Sequence, residues 1–358
     1  MINILAEHFS QPLLQWYDKH GRKNLPWQLP RDPYRVWISE IMLQQTQVQT
    51  VIPYFNRFMD DFPSIHDLAQ AEDDKVLSLW SGLGYYSRAR NLHKTAKIIS
   101  SEFSGIMPKE RDTLTSFPGI GPSTAAAILS QAYNLPTAIL DGNVKRVLTR
   151  FFRIQGWPEQ ATIKKTLWEL ADECMPQQRC ADYTQAIMDL GATCCTLKKP
   201  SCAQCPVQTN CQALQHQEQL LYPTKKIKKP IPIQHQQFLV LLNKNKMIYL
   251  EKRPPTGLWG GLWCLPSIDK ELCPLQYINE HYHLQAKETK HLISLKHRFS
   301  HFQLEIDALV IETQYSKKQI AEPSGQWFNQ QRLRDVGLAK PTNHILNQLF
   351  TSTESIIK

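Results

Sequence analysis

From about residue 4 to about residue 222, apolar positions recur at intervals of three and four, the spacing that lines one face of a helix. The pattern predicts helices over 4–20, 31–47, 48–60, 64–70, 73–80, 84–103, 110–116, 122–133, 143–153, 160–173 and 180–192, with short Pro- and Gly-marked turns between them. At YPTKKIKKPIP, residues 222–232, the texture changes. Prolines and four lysines in so short a run read as an exposed linker. Beyond it, QQFLVLLNKNKMIYLEKRP predicts two strands joined by a polar turn, and HFQLEIDALVIE alternates as another strand. The expected organisation is a mainly α domain over 1–222, a linker over 223–232 and an α+β domain over 233–358. A chain of 358 residues suits two domains that each bury a core. The N-terminal stretch is amphipathic rather than continuously apolar, and no run approaches a membrane-spanning length. The expectation is a soluble, cytoplasmic monomer with no membrane partner.

Charge narrows the partner. The formal net charge of +9 favours a polyanion such as nucleic acid. Residues 114–146 then suggest what happens to it. The turn Pro118-Gly119-Ile120-Gly121 lies between two helical patterns, so its backbone N–H groups face outward at a helix N-terminus and suit a phosphate. Asp141 follows at the mouth of the next helix. A phosphate grip beside a placed carboxylate points to chemistry on nucleic acid rather than to binding alone.

Nine cysteines are present, most of them between Cys174 and Cys211. Cys195, Cys202, Cys205 and Cys211 follow C-x6-C-x2-C-x5-C. Four thiolates so close in sequence can close on one centre, and both zinc and a cubane iron–sulfur cluster accept four cysteines. Cys194 competes with Cys195 for the first position. Cys174, Cys180, Cys264 and Cys273 read as apolar fillers.

Two carboxylates occupy contrasting settings. On a helix, Val36, Glu40, Leu43 and Gln47 share a stripe. Burial there would raise the Glu40 pKa and suit it to general-acid work; at the stripe's edge it would simply reach water. Asp141 precedes Gly142 and Asn143 at a helix start, where dipole and free N–H groups favour the ionised form, as they would for a plain N-cap. An acid and a retained anion together suit cleavage of a glycosidic bond.

FPGIGPSTA, LDGNVKR and the cysteine loop resemble the helix-hairpin-helix DNA glycosylases, and the likeness is closest to the MutY-type adenine DNA glycosylases. LPWQ, WISEIMLQQTQV, WSGLGYYSRARNL, GLWGGLWCLP and RFSHF extend it over nearly the whole chain. That family removes adenine mispaired with 8-oxoguanine in duplex DNA. The resemblance implies a two-lobed helical glycosylase domain followed by a Nudix-like domain. It implies a [4Fe–4S] cluster on Cys195, Cys202, Cys205 and Cys211, with zinc as the alternative. Glu40 matches the acid that protonates adenine at N7, Asp141 the carboxylate that meets the sugar cation, and Asn143 its polar partner. Gln45, Thr46, Leu83 and Tyr85 match residues that enter the base stack; Tyr85 and Tyr86 would otherwise be core. Leu25 and Trp27 match the adenine pocket, which Gln185 could join, while Gln28 stands where some relatives carry a basic residue. Phe299, Ser300 and His301 match the loop that senses 8-oxoguanine.

Two departures sharpen this. Strand-cutting relatives carry a hairpin Lys that forms a Schiff base; here the position is Ser123, which implies a monofunctional enzyme, with Lys145 able to trap an abasic sugar only occasionally. PSIDKELCPLQYINEHYHL lacks the Glu spacing of a Nudix hydrolase, which implies a reader domain. The competing readings are an endonuclease III-like bifunctional glycosylase on oxidised pyrimidines and a non-catalytic, metal-stabilised DNA-binding module.

Overall fold

A computed structural model describes residues 6–226, 230–299, 301–315 and 325–354. Ser300 lies outside the described residues. The chain divides into two compact units, Met1–Gln70 with Asn91–Lys228, and Ala71–Arg90 with Lys229–Lys358. Ala71–Arg90 therefore groups with the C-terminal part. Lys252 pairs with Asp74 at 2.8 Å, the Tyr86 hydroxyl donates to the Leu338 carbonyl at 3.3 Å, and Arg90 donates to the Gly260 carbonyl.

The helices follow the expected order: α1 (Gln11–His20), α2 (Pro33–Leu43), α3 (Val48–Asp61), α4 (Ile65–Gln70), α5 (Asp73–Leu79), α6 (Ser87–Glu102), α7 (Arg111–Ser116), α8 (Pro122–Tyr133), α9 (Gly142–Phe151), α10 (Ala161–Cys174), α11 (Cys180–Asp189) and the short α12 (Gln212–Gln215). Local chemistry explains the starts. Asp32 accepts the Arg35 N–H at 3.1 Å and Pro33 occupies the first turn of α2. Pro122 opens α8, and Asn134 in the left-handed conformation ends it. Ala125, Ala126 and Ala127 of α8 are buried, and their small size lets α2 and α11 pack closely against it.

Two boundaries that bear on the site differ from expectation: α6 begins at Ser87 rather than at residue 84, which leaves Gly84 and Tyr85 in a left-handed turn before it. α2 stops at Leu43, a turn follows in which Gln45 adopts φ 58°, and α3 begins at Val48. Gln47 therefore leaves the Glu40 stripe. Apolar spacing continues across the turn, so periodicity could not reveal it.

The C-terminal unit is built on β1 (Ile233–Leu242), β2 (Ile248–Lys252), β3 (Trp263–Cys264), β4 (Ser267–Asp269), β5 (Leu284–Ala286), β6 (Lys290–Arg298), β7 (Gln303–Tyr315) and β8 (Gly325–Phe328), with α13 (Pro274–Tyr282) and α14 (Lys340–Glu354). The strand order is β3-β2-β1-β7-β5, with β4 on β1, β6 on β7 and β8 on β2. β1 runs parallel to β7 from Ile233 opposite Gln303 to Leu242 opposite Glu312. Phe238, Val240 and Leu242 join one core with Ile345 and Leu346 of α14. Leu239 and Leu241 join another with Ile278 and Tyr282 of α13. Burial on both faces accounts for the unbroken apolar run in β1. Cys273, expected as a filler, is exposed; Cys174, Cys180 and Cys264 are buried.

Candidate active site

Glu40 projects from α2, whose neighbouring residues Val36, Trp37, Ile38, Ser39 and Ile41 are buried. Its Oε1 accepts a hydrogen bond from Gln131 Nε2 of α8 at 3.0 Å. Burial first, and the charge of Asp141 after it, raise its pKa to about 7 against the opposing Gln131 bond. An ordinary carboxyl is thereby converted to one that keeps its proton near neutral pH. Asp141 caps α9, its Oδ1 accepting the Val144 N–H at 2.7 Å. The helix start favours the ionised form here, as expected, but it meets a larger opposing effect. Burial raises its pKa despite the Val144 and Asn143 N–H groups and the charges of Arg146 and Lys145. Desolvation outweighs the helix terminus at this position.

The hairpin supports Asp141 from behind. Ser123 Oγ accepts the N–H of Leu140 at 3.1 Å, fixing the residue before Asp141. Gly119 has φ 82°, and a Cβ there would lie 2.8 Å from Asn91 Cβ, so glycine is required on both counts. Gly121 caps α8 with open space where a side chain would be. Lys145 is ion-paired with Glu159.

Leu25 and Trp27 are buried in the segment between α1 and α2, with Trp27 edge-on to Phe55 at 5.4 Å. Gln28 is committed to holding that segment, accepting the Leu25 N–H at 3.1 Å and donating to the Arg22 carbonyl at 2.9 Å. Gln185 on α11 donates to the buried carboxylate of Asp189 at 2.8 Å, which Arg22 grips through two side-chain nitrogens and its own N–H. Because a carboxylate only accepts, this bond fixes which end of the amide is which. The Gln185 Oε1 is buried with no partner among the described residues.

Gln45 is exposed in the turn after α2, and Thr46 is half-buried beside it. In the other unit Leu83 is buried, Tyr85 is 54% exposed and Tyr86 is buried, so the two adjacent tyrosines part company. Phe299 stacks on Phe302 at 4.5 Å and contacts Trp259 at 5.5 Å; His301 is exposed.

Cys195, Cys202, Cys205 and Cys211 line one cavity together with Cys194, Val147, Phe151 and Leu190. Arg150 anchors the loop. Buried on α9, it donates to the Thr196 carbonyl at 2.8 Å, the Leu197 carbonyl at 3.1 Å, the Tyr222 carbonyl at 3.0 Å and Cys195 Sγ at 3.3 Å. Cys194 instead donates to the Ser201 carbonyl at 3.3 Å. One turn earlier, Arg146 donates to the Cys195 carbonyl at 2.8 Å and to Asn143 Oδ1 at 2.7 Å. Asn143 thus belongs to a bridge between α9 and the cysteine loop. Gln131, Arg146, Arg150 and Asp189 escaped the sequence reading, although a Gln in the apolar run AAAILSQ and an i, i+4 arginine pair in VKRVLTR were visible signals.

Comparison with known proteins settles the family. Residues 38–173 match the HhH-GPD superfamily of base excision DNA repair proteins, and residues 237–348 match the NUDIX domain. Adenine DNA glycosylase of Buchnera aphidicola subsp. Schizaphis graminum is 40% identical over 339 residues, covering 94% of this chain and 97% of that protein. The chain belongs to the adenine DNA glycosylases. The human adenine DNA glycosylase is 35% identical over 396 residues, covering 92% of this chain and 72% of that one. Among solved structures, a thermostable thymine-DNA glycosylase aligns over 60% of this chain and 98% of its own at a TM-score of 0.55 and 27% identity. This glycosylase chain has, among its described residues, no helix long and apolar enough to cross a membrane.

Proposed function

We propose that this glycosylase hydrolyses the N-glycosidic bond of adenine mispaired with 8-oxoguanine or guanine in duplex DNA, without cutting the backbone. The observation that carries the chemistry is the coupled pair Glu40 and Asp141, with Glu40 raised to about 7 by burial and by the Asp141 charge. Glu40 holds the proton that adenine N7 receives, so the base leaves neutral rather than as an anion. Asp141 faces the oxocarbenium-like sugar and stabilises it electrostatically. Neither carboxyl can reach its target inside a stacked duplex, so the adenine is flipped out. Leu25, Trp27 and Gln185 receive it, while Gln45, Thr46, Leu83 and Tyr85 occupy the disturbed stack.

Ser123 has no amine, and the Lys145 amine is held by Glu159, which supports base release without Schiff-base strand cleavage. Gly119 and Gly121 offer the backbone for a phosphate of the gripped strand.

The thiols of Cys195, Cys202, Cys205 and Cys211 suit a [4Fe–4S] cluster. They line one cavity, and a guanidinium lies 3.3 Å from Cys195 Sγ to balance thiolate charge. When bound, the cluster supplies a structural cross-link with no part in hydrolysis. The C-terminal unit reads 8-oxoguanine through Phe299, Ser300 and His301. Its α13 carries one acid, Glu280, which accepts from Gln276 at 2.8 Å, so the helix does not offer the clustered glutamates that metal-dependent hydrolysis of nucleotides uses.

The test is a duplex with adenine opposite 8-oxoguanine, incubated with the full chain and then treated with alkali. Cleavage at the adenine only after alkali is expected. Cleavage without alkali at the rate of base release, or at the 8-oxoguanine, would contradict the proposal.

A further inference from the structure

Tyr85 has a backbone geometry that its chemistry disfavours. It sits at φ 50°, left-handed, where a bulky residue clashes with its own carbonyl. Its two glycine neighbours, Gly82 at φ 103° and Gly84 at φ 72°, enter the same half of conformational space without penalty. Such a residue persists only where its surroundings over-determine the turn. Here they do. Arg88 Nη2 donates to the carbonyls of Leu83 at 3.3 Å and Gly84 at 3.1 Å, and the Arg88 N–H donates to the Tyr85 carbonyl at 2.9 Å. Its guanidinium lies 5.4 Å from the Trp80 ring and 5.5 Å from the Tyr85 ring. Trp80 Nε1 also donates to the Gly84 carbonyl at 3.2 Å, and the Gly82 N–H donates to the Tyr86 hydroxyl at 3.3 Å. Arg88 is buried while Tyr85 is exposed.

We infer that Arg88 is a positioning residue that holds the strained Ser81–Tyr86 turn cocked, so that Tyr85 stands preformed as a rigid wedge for the DNA stack. This rests on the proposed reading of Tyr85 as a stack-entering residue. The logic is preorganisation. A wedge ordered before binding loses little freedom on entering the duplex, so more of its stacking appears as preference for the mispair. A planar fork suits the task, because it bonds two adjacent carbonyls and stacks on aromatic faces at once, whereas a lysine ammonium does neither.

The test is a double-mutant cycle in the full-length protein with Arg88→Met and Tyr85→Asn. Asparagine tolerates the left-handed conformation, so Tyr85→Asn relieves strain and removes the wedge together. The readouts are the ratio of dissociation constants for a duplex with adenine opposite 8-oxoguanine against the fully paired duplex, and the fluorescence rise of 2-aminopurine placed at the flipped position. Each single variant is expected to lower the binding ratio by about tenfold, the worth of one stacked base. The double variant should fall no further than Tyr85→Asn alone, because Arg88 acts through Tyr85. Multiplicative losses, or a ratio unmoved in Arg88→Met, would overturn the inference. Should Arg88→Met fail to fold, Arg88→Lys replaces it in the cycle under the same two criteria. Wild-type protein that releases no adenine would sink the functional reading itself; an active wild type with multiplicative losses sinks only this inference.

Discussion

The carboxyls of the candidate site and those on the sheet surface are held in opposite ways. In the helical unit, burial pushes Glu40 to about 7 and raises Asp141, and Arg150 is enclosed among carbonyls and a thiol. In the C-terminal unit, Glu305 bonded to Lys296 and Glu312 bonded to Lys246 are held below the usual carboxylate range, out in water. The difference teaches where proton chemistry can occur. A carboxyl paired with lysine at the surface stays ionised and has no proton to give at neutral pH; one partly desolvated and set beside another anion retains it.

The comparison breaks most sharply at Glu40. Glu40→Gln should lower single-turnover adenine release by about a thousandfold, the scale of a lost general acid, while leaving duplex affinity nearly intact in a filter-binding assay. Loss of affinity would assign Glu40 to structure.

Arg150 tests the buried cation. Arg150→Met leaves the carbonyls of Thr196, Leu197 and Tyr222 without their donor, and should cost about 3–5 kcal/mol of stability. Chemical denaturation measures that loss, and with the proposed [4Fe–4S] ligation the iron content of the purified protein should fall with it.

Glu40 also ties stability to pH. Its folded pKa of about 7 stands above the ordinary 4.5, so the folded state binds its proton more tightly than the unfolded chain. This contribution is fully present below about pH 4.5 and is lost as pH rises through about 7. Glu40→Gln should therefore be more stable than the wild type above pH 7, by about 3 kcal/mol, and equal to it in acid. An unchanged difference across pH would show that Glu40 is not desolvated.

The same group shapes the rate. Above pH 7, adenine release should fall by about tenfold per pH unit as Glu40 deprotonates. Asp141→Asn should move the onset of this fall to lower pH by removing the charge that raises Glu40. The smallest effect belongs to the C-terminal unit. Glu312→Gln, which breaks a surface pair with Lys246, should leave adenine release and the thermal midpoint essentially unchanged.

Much of this was legible in the sequence. The periodicity of three and four predicts α1 to α11 because each helix must bury one face, and the unbroken apolar run FLVLL marks β1 as covered on both sides. The spacing of Cys195, Cys202, Cys205 and Cys211 and the turn before Pro122 are local patterns, so they survive reading in one dimension. Three things were decided only by tertiary structure. Whether Glu40 is an acid depended on which side chains close over it, and Gln131 and Asp141 lie far along the chain. The N-cap position of Asp141 suggested a lowered pKa; desolvation by the packed chain reversed the direction of the shift. Tyr85 and Tyr86 were equivalent letters until folding exposed one in a left-handed turn and buried the other. Sequence periodicity reports which face an element buries, whereas a pKa or a strained wedge depends on what the remainder of the chain places against it.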